Sequence, residues 1–138
     1  MKKILILMAL TLLPAAWAMG QDNKEALNKK NLVVKEWNTN GKGGAQALDH
    51  LTIYSPEGKK IEETEYYTNG KQKWRKRYEW NATGKMSREL VYDEHNRLVN
   101  YKTFEYNEFG KKKAQYTYDP KGKLISTKLF EYLAQDVQ

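Results

Sequence analysis

Few residues in this chain are of types that do chemistry. There are two histidines and no cysteine in 138 residues, so thiol, disulfide and thiolate-metal chemistry are excluded. His95 falls inside a turn motif and His50 in a less regular stretch before Tyr54, so a two-histidine metal or acid-base site would need the fold to bring distant segments together. Paired carboxylates are abundant, as in IEETEYY at 61–67, and two carboxylates on one surface would suit general acid-base work. Along a strand, however, they alternate faces. The serines at 55, 87 and 126 lack a nucleophile-elbow context. No phosphate-binding loop and no metal-ligand spacing occurs, so the sequence names no cofactor and no metal site. An enzyme of unknown type is the weakest of the functional readings.

The elements that must position any site announce themselves by repetition. An aromatic residue followed four positions later by Gly or Asn, and then by Lys or Arg, recurs seven times: WNTNGK at 37, YSPEGK at 54, YYTNGK at 66, WNATGK at 80, YDEHNR at 92, YNEFGK at 106 and YDPKGK at 118. From Tyr54 the spacings run 12, 14, 12, 14 and 12, and a further 14 reaches Tyr132. Asn, Ser or Asp after the aromatic opens a type I turn, and Gly or Asn closes it where the backbone needs a left-handed conformation. Gly58, Gly70, Gly84, Asn96, Gly110 and Gly122 are therefore turn-structural positions. The stretches between them are strands, since β-branched and aromatic residues fill them. The expected fold is all-β: an antiparallel meander of seven or eight strands built from 12/14-residue strand-turn repeats, in a single twisted or curled sheet.

These motifs resemble the YD repeats of secreted bacterial Rhs-type proteins and animal teneurins, best at YDEHNRL (92–98) and YDPKGKL (118–124). They are more loosely similar to MORN-like repeats and to small exported Bacteroidetes proteins of unknown function. The resemblance implies strands winding in a continuous sheet and carries no catalytic residue with it.

Residues 1–20, with Lys2 and Lys3 before an apolar run and small residues at 16, 18 and 20, read as a secretory signal peptide cleaved after 18 or 20. Residues 21–31 read as a short helix or a disordered segment, and 32–138 as the β-repeat domain. Loss of Lys2 and Lys3 takes the net charge from +7 to +5, a mild surplus that favours acidic surfaces without implying nucleic acid. The expected locale is periplasmic or extracellular, with no membrane span in the mature chain and no lipoprotein cysteine.

Pairing each turn-opening residue with the Lys or Arg after the Gly gives a register. It sets Glu65 opposite Lys73, Glu63 opposite Arg75, Arg77 opposite Glu89, Glu105 opposite Lys113 and Lys111 opposite Glu131, which predicts one wet face and one aromatic face. On the aromatic face it sets Arg88 opposite Lys102, a like-charge pair in a row with Tyr78 and Tyr116, near Trp74 and Trp80. Opposed cations call for an anionic or π-rich partner between them. The odd spacing from Trp37 to Tyr54 calls for a bulge, placed at Gly43-Gly44. The functional expectation is an exported, non-catalytic binding module of the cell envelope whose aromatic-cationic face meets an acidic glycan or a protein partner. The alternative is a structural or assembly protein whose face is buried in a homo-oligomer.

Overall fold

The computed structural model describes residues 26–39, 41 and 43–135. Within them lie eight strands: β1 (Val33–Thr39), β2 (Gln46–Tyr54), β3 (Lys60–Tyr66), β4 (Gln72–Trp80), β5 (Met86–Tyr92), β6 (Leu98–Tyr106), β7 (Lys112–Tyr118) and β8 (Leu124–Leu129). They form one antiparallel sheet in chain order, and β1 and β8 do not meet, so the meander stays open. The described residues contain no helix, and residues 26–31 of the segment expected to be helical or disordered are coil and turn. The signal peptide expected over 1–20 lies outside the described residues.

Five of the turns are built by their opening side chains, while in the β3–β4 turn, which opens on Tyr67, Asn69 Oδ1 accepts from the Lys71 amide instead. Asn81 Oδ1 accepts from the amides of Thr83 and Lys85 at 3.1 and 2.9 Å, and Asp93 Oδ1 accepts from those of His95 and Arg97 at 2.8 and 3.0 Å. Asn107 and Asp119 repeat the arrangement, and Ser55 does so through its hydroxyl. One oxygen thus satisfies two amides that the loop would otherwise leave bare. The Arg97 amide, foremost, holds the Asp93 carboxyl below its ordinary range. The closing residues adopt the left-handed backbone expected of them, with φ of 76° at Gly84 and 59° at Asn96. The motif at Trp37 behaves differently, because β1 runs on through it to Thr39.

The register departs from the expected one after a single step. Next to each turn the pairs are as predicted: Tyr54–Lys60, Tyr66–Gln72, Trp80–Met86, Tyr92–Leu98, Tyr106–Lys112 and Tyr118–Leu124. One residue further on, every one of these hairpins takes a bulge, so that Ile61, Lys73, Ser87, Val99, Lys113 and Ile125 are each an extra residue. The shift moves every later pair by one position, and a one-residue slip exchanges faces. Glu63 therefore faces Lys76 instead of Arg75, and Arg77 faces Leu90, on the opposite side of the sheet from Glu89. Glu105 faces Ala114, and Glu131 lies beyond the end of β8. Glu65 faces Trp74, yet the bulged Lys73 still reaches its carboxylate at 2.9 Å. The bulge expected at Gly43-Gly44 sits instead in β2, where Asp49 is the extra residue opposite Glu36 and Trp37.

The slip also abolishes the division into a wet and an aromatic face. One surface carries His50, Glu63, Lys76, Tyr78, Glu89, Lys102 and Phe104, while the other carries Glu62, Arg77, Leu90, Tyr101 and Tyr118. No second layer covers either one among the described residues, and only Leu90 and Ala114 are buried apolar side chains. Bonds within the plane take over. Trp80 Nε1 donates to the Lys60 carbonyl at 2.8 Å, Tyr106 Oη to that of Met86 at 2.6 Å and Tyr132 Oη to that of Lys112 at 2.7 Å. Each bond spans 20 residues; the first two tie one hairpin to the next hairpin at the same end of the sheet, and the third ties the segment after β8 to the β6–β7 hairpin. At the other end Gln72 Nε2 donates to the Asp93 carbonyl and to Asn96 Oδ1, at 2.8 and 2.9 Å.

Replacing Gly84, Gly110 or Gly122 with Val should lower stability by about 1 kcal/mol or more, because a β-branched residue resists the left-handed backbone. Asn96→Gly should be close to neutral. Urea melts of these variants check the turn assignment, which would be wrong if Val and Gly were tolerated equally.

Candidate functional site

A concave part of the sheet follows from where two strands part company. Pairing of β3 with β4 begins at Glu62–Arg77, so the ends that carry Lys60 and Trp80 diverge into separate hairpins. A cleft of about 410 Å³ opens between the loops 55–59 and 81–85. Lys59, Ile61, Tyr78, Trp80 and Asn81 line it. The indole spans its floor by bonding the Lys60 carbonyl. The Lys59 ammonium stands 5.0 Å from the indole centroid and donates to the Gly84 carbonyl at 3.3 Å.

Below the cleft lies a polar cluster centred on Glu63. Its carboxylate accepts from the Tyr78 hydroxyl, from Lys60 Nζ at 3.0 Å and from His50 Nε2 at 3.3 Å. Burial alone would raise its pKa, but the donors Tyr78, Lys60 and His50 outweigh that and hold the carboxyl below its ordinary value of 4.5. Burial, and then the same hydrogen bond, push the Tyr78 hydroxyl up. An ionised carboxylate already committed to three donors is a clamp on β2, β3 and β4 rather than a free base. Beside it Lys76 and Lys102 flank Glu89 at 3.8 and 3.5 Å, and Trp74 meets His50 edge to face at 5.8 Å.

The residues singled out from the sequence do not converge. Lys102 faces Glu89, whereas Arg88 lies between Glu79 and Thr103, so the opposition of Arg88 and Lys102 does not exist. The bulge at Val99 is the cause. Trp74, Tyr78, Trp80 and Lys102 share one face, while Arg88 and Tyr116 lie on the other. There Arg88 stacks on Tyr101 at 5.2 Å and approaches Glu79 at 3.7 Å. Of the original set, Tyr78 and Trp80 line the cleft. Sequence reasoning did not place Lys59 or Lys60 in a site, weighed His50 only as half of a two-histidine centre, and set Glu63 in a charge pair with Arg75. The signal for Lys59 was present, since it and Lys85 each follow a turn glycine and each sits over the aromatic of the next hairpin but one.

The two histidines stay apart, His95 contacting Glu94 in the β5–β6 loop at 3.4 Å. A second cleft, of about 470 Å³, is lined there by Tyr67, Asn69, Gln72, Glu94 and His95. Among the described residues no group of three or more His, Asp or Glu side chains could hold a metal ion, and no helix is long and apolar enough to cross a membrane.

No known family and no curated protein matches this chain. Among solved structures it is similar to that of TarM, at 17% identity and a TM-score of 0.35, over 70% of this chain and 21% of that one. It is also similar to a DUF3836 family protein from Parabacteroides distasonis, at 15% identity and a TM-score of 0.34, over 72% of this chain and 91% of that one. A protein with unknown function from Bacteroides fragilis matches at 16% identity and a TM-score of 0.24, over 72% and 93% of the two chains. The chain thus spans about a fifth of TarM and most of the two Bacteroidales proteins. All three TM-scores lie below 0.5, and no functional assignment passes from them.

Because its folded pKa is depressed, Glu63 adds stability above its ordinary pKa, and this contribution disappears as pH falls through the folded value. Glu63→Gln should be less stable near neutrality and should lose stability less steeply from about pH 5 to pH 3. Thermal melts across that window check this, and parallel curves for the two proteins would exclude it.

Proposed function

We propose that the protein is an exported, non-catalytic binding module of the cell envelope, and that the cleft between the β2–β3 and β4–β5 turns accepts an acidic glycan. The observation that carries this reading is the open cleft in which Tyr78 and Trp80 stand beside the Lys59 ammonium. Aromatic side chains with one polar end pack well against rings that are part apolar and part hydroxylated. A lysine at the rim supplies the charge-assisted hydrogen bond that a carboxylate or sulfate group needs. The signal-peptide-like sequence of residues 1–20 is in keeping with export, and the YD-like turns are in keeping with a repeat scaffold for display. A protein partner bearing acidic residues is the second occupant the same chemistry admits.

The test is titration with a uronate-containing oligosaccharide at low and at physiological salt. Binding should weaken as salt rises, because exposed charges are screened over roughly 8 Å at physiological ionic strength. Lys59→Gln should weaken it by about tenfold or more, the scale of a hydrogen bond to a charged group, with little change in melting temperature. Retained affinity in Lys59→Gln, together with loss in Lys102→Gln, would move the ligand from the cleft to the centre of the same face, and loss in Arg88→Gln would move it to the opposite face. Binding insensitive to all three changes would refute an electrostatic glycan site.

A further inference from the structure

The repeat stops at β8 with its pattern intact. Residues 124–132, LISTKLFEY, restate residues 98–106, LVNYKTFEY, 26 positions earlier, sharing the Leu, the Lys and the closing Phe-Glu-Tyr. β6 has a strand on both sides, but β8 has only β7. All six residues of β8 are exposed. Leu124, Ile125 and Leu129, followed by Leu133, set apolar side chains along an edge whose backbone is unpaired on one side. Such an edge is a template for another strand.

The far edge of the same sheet has the matching character. Trp37 opens the WNTNGK motif as Tyr118 opens YDPKGK, so by sequence the two aromatics correspond, although β1 continues two residues past Trp37 while β7 ends at Tyr118. Val33 and Trp37 are about half exposed. The sheet has eight strands, an even number, so a second copy laid beside the first in the same orientation keeps the antiparallel alternation across the junction.

The register of that junction follows from the repeat alone. β6 pairs with β7 as Tyr101–Tyr118, Lys102–Thr117, Thr103–Tyr116 and Phe104–Gln115. Carried forward by 26 residues on one side and anchored at Trp37 on the other, the same register sets Thr127 opposite Trp37, Lys128 opposite Glu36, Leu129 opposite Lys35 and Phe130 opposite Val34 of the second copy. Spacing, not charge, chose this register, and it joins two opposite charges. Lys76 and Lys102, the earlier members of the column that ends at Lys128, each have Glu89 within 4 Å. Lys128 faces Gln115 within its own chain, and neither it nor Glu36 has an ion-pair partner among the described residues.

We propose that the β8 edge takes the β1 edge of a second copy of this chain, with Lys128 against Glu36, so that the sheet continues from one molecule into the next. The contact joins two different surfaces, so every pair leaves one free edge of each kind and the assembly grows head to tail beyond two copies. Sedimentation velocity of the purified protein over a range of concentrations should reveal species growing beyond the dimer. Lys128→Glu and Glu36→Lys should each weaken association by about threefold or more, the scale of one cross-strand charge pair. The double variant, which restores opposite charges at every junction, should return to within about twofold of the native protein. A monomer at all concentrations would overturn the proposal. So would a species that stops at two, as β8 pairing with β8 would give, or growth indifferent to both swaps. The cleft at Lys59 and Trp80 lies away from both edges, so loss of association in these variants leaves glycan binding unchanged and the two readings fail separately.

Discussion

A single side-chain oxygen at the opening of a turn, accepting two backbone amides, is the interaction on which the rest of this structure depends. In Asn81, Asp93, Asn107 and Asp119 it sits one residue after an aromatic that marks the end of a strand. It makes those hairpins locally determined, so the sheet does not need a buried core to decide where most of its strands begin. Two buried apolar side chains would be a poor basis for eight strands in a layered fold. Here the organisation comes from the turns and from the bonds that tie each turn to its neighbour at the same end.

Those ties explain the aromatic content. Trp80, Tyr106 and Tyr132 each use a polar ring atom to bind a carbonyl in the preceding hairpin, and Lys59 and Lys85 lie over the rings of Trp80 and Tyr106. Tyr101 stacks on Tyr118 at 5.0 Å, and Arg75 lies 4.5 Å from the Tyr92 ring. Ring bodies thus shield neighbouring strands while their polar tips and attendant cations remain hydrated, an economical arrangement for a sheet wetted on both sides. Charges are dispersed in the same manner, as in the run Lys76, Glu89 and Lys102 across three strands.

The cleft is a by-product of this construction. Strands that are paired through their middles separate where each enters its own hairpin, and the notch left between loops 55–59 and 81–85 is only partly filled by the Trp80 indole. A repeat of 26 residues therefore creates a concave, aromatic-lined surface without any dedicated element. The Glu63 cluster beneath it ties β2, β3 and β4 together and stiffens that floor.

From Tyr54 onward the turn positions, the strand order and the left-handed residues that close the turns were legible in the sequence, because each depends on residues within five positions of one another, whereas only the strand pairing decided that the meander stays open. The residue pairs beside the turns were legible for the same reason. Beyond them the bulges at Ile61, Lys73, Ser87, Val99, Lys113 and Ile125 decided the outcome. These residues share no side-chain type, since a bulge is a property of how two backbones twist past each other. One extra residue per hairpin was enough to send Arg88 and Lys102 to opposite faces and to bring Glu63 to Lys60, His50 and Tyr78. Local chemistry wrote the turns into the sequence, and only the paired strands could decide which side chains meet.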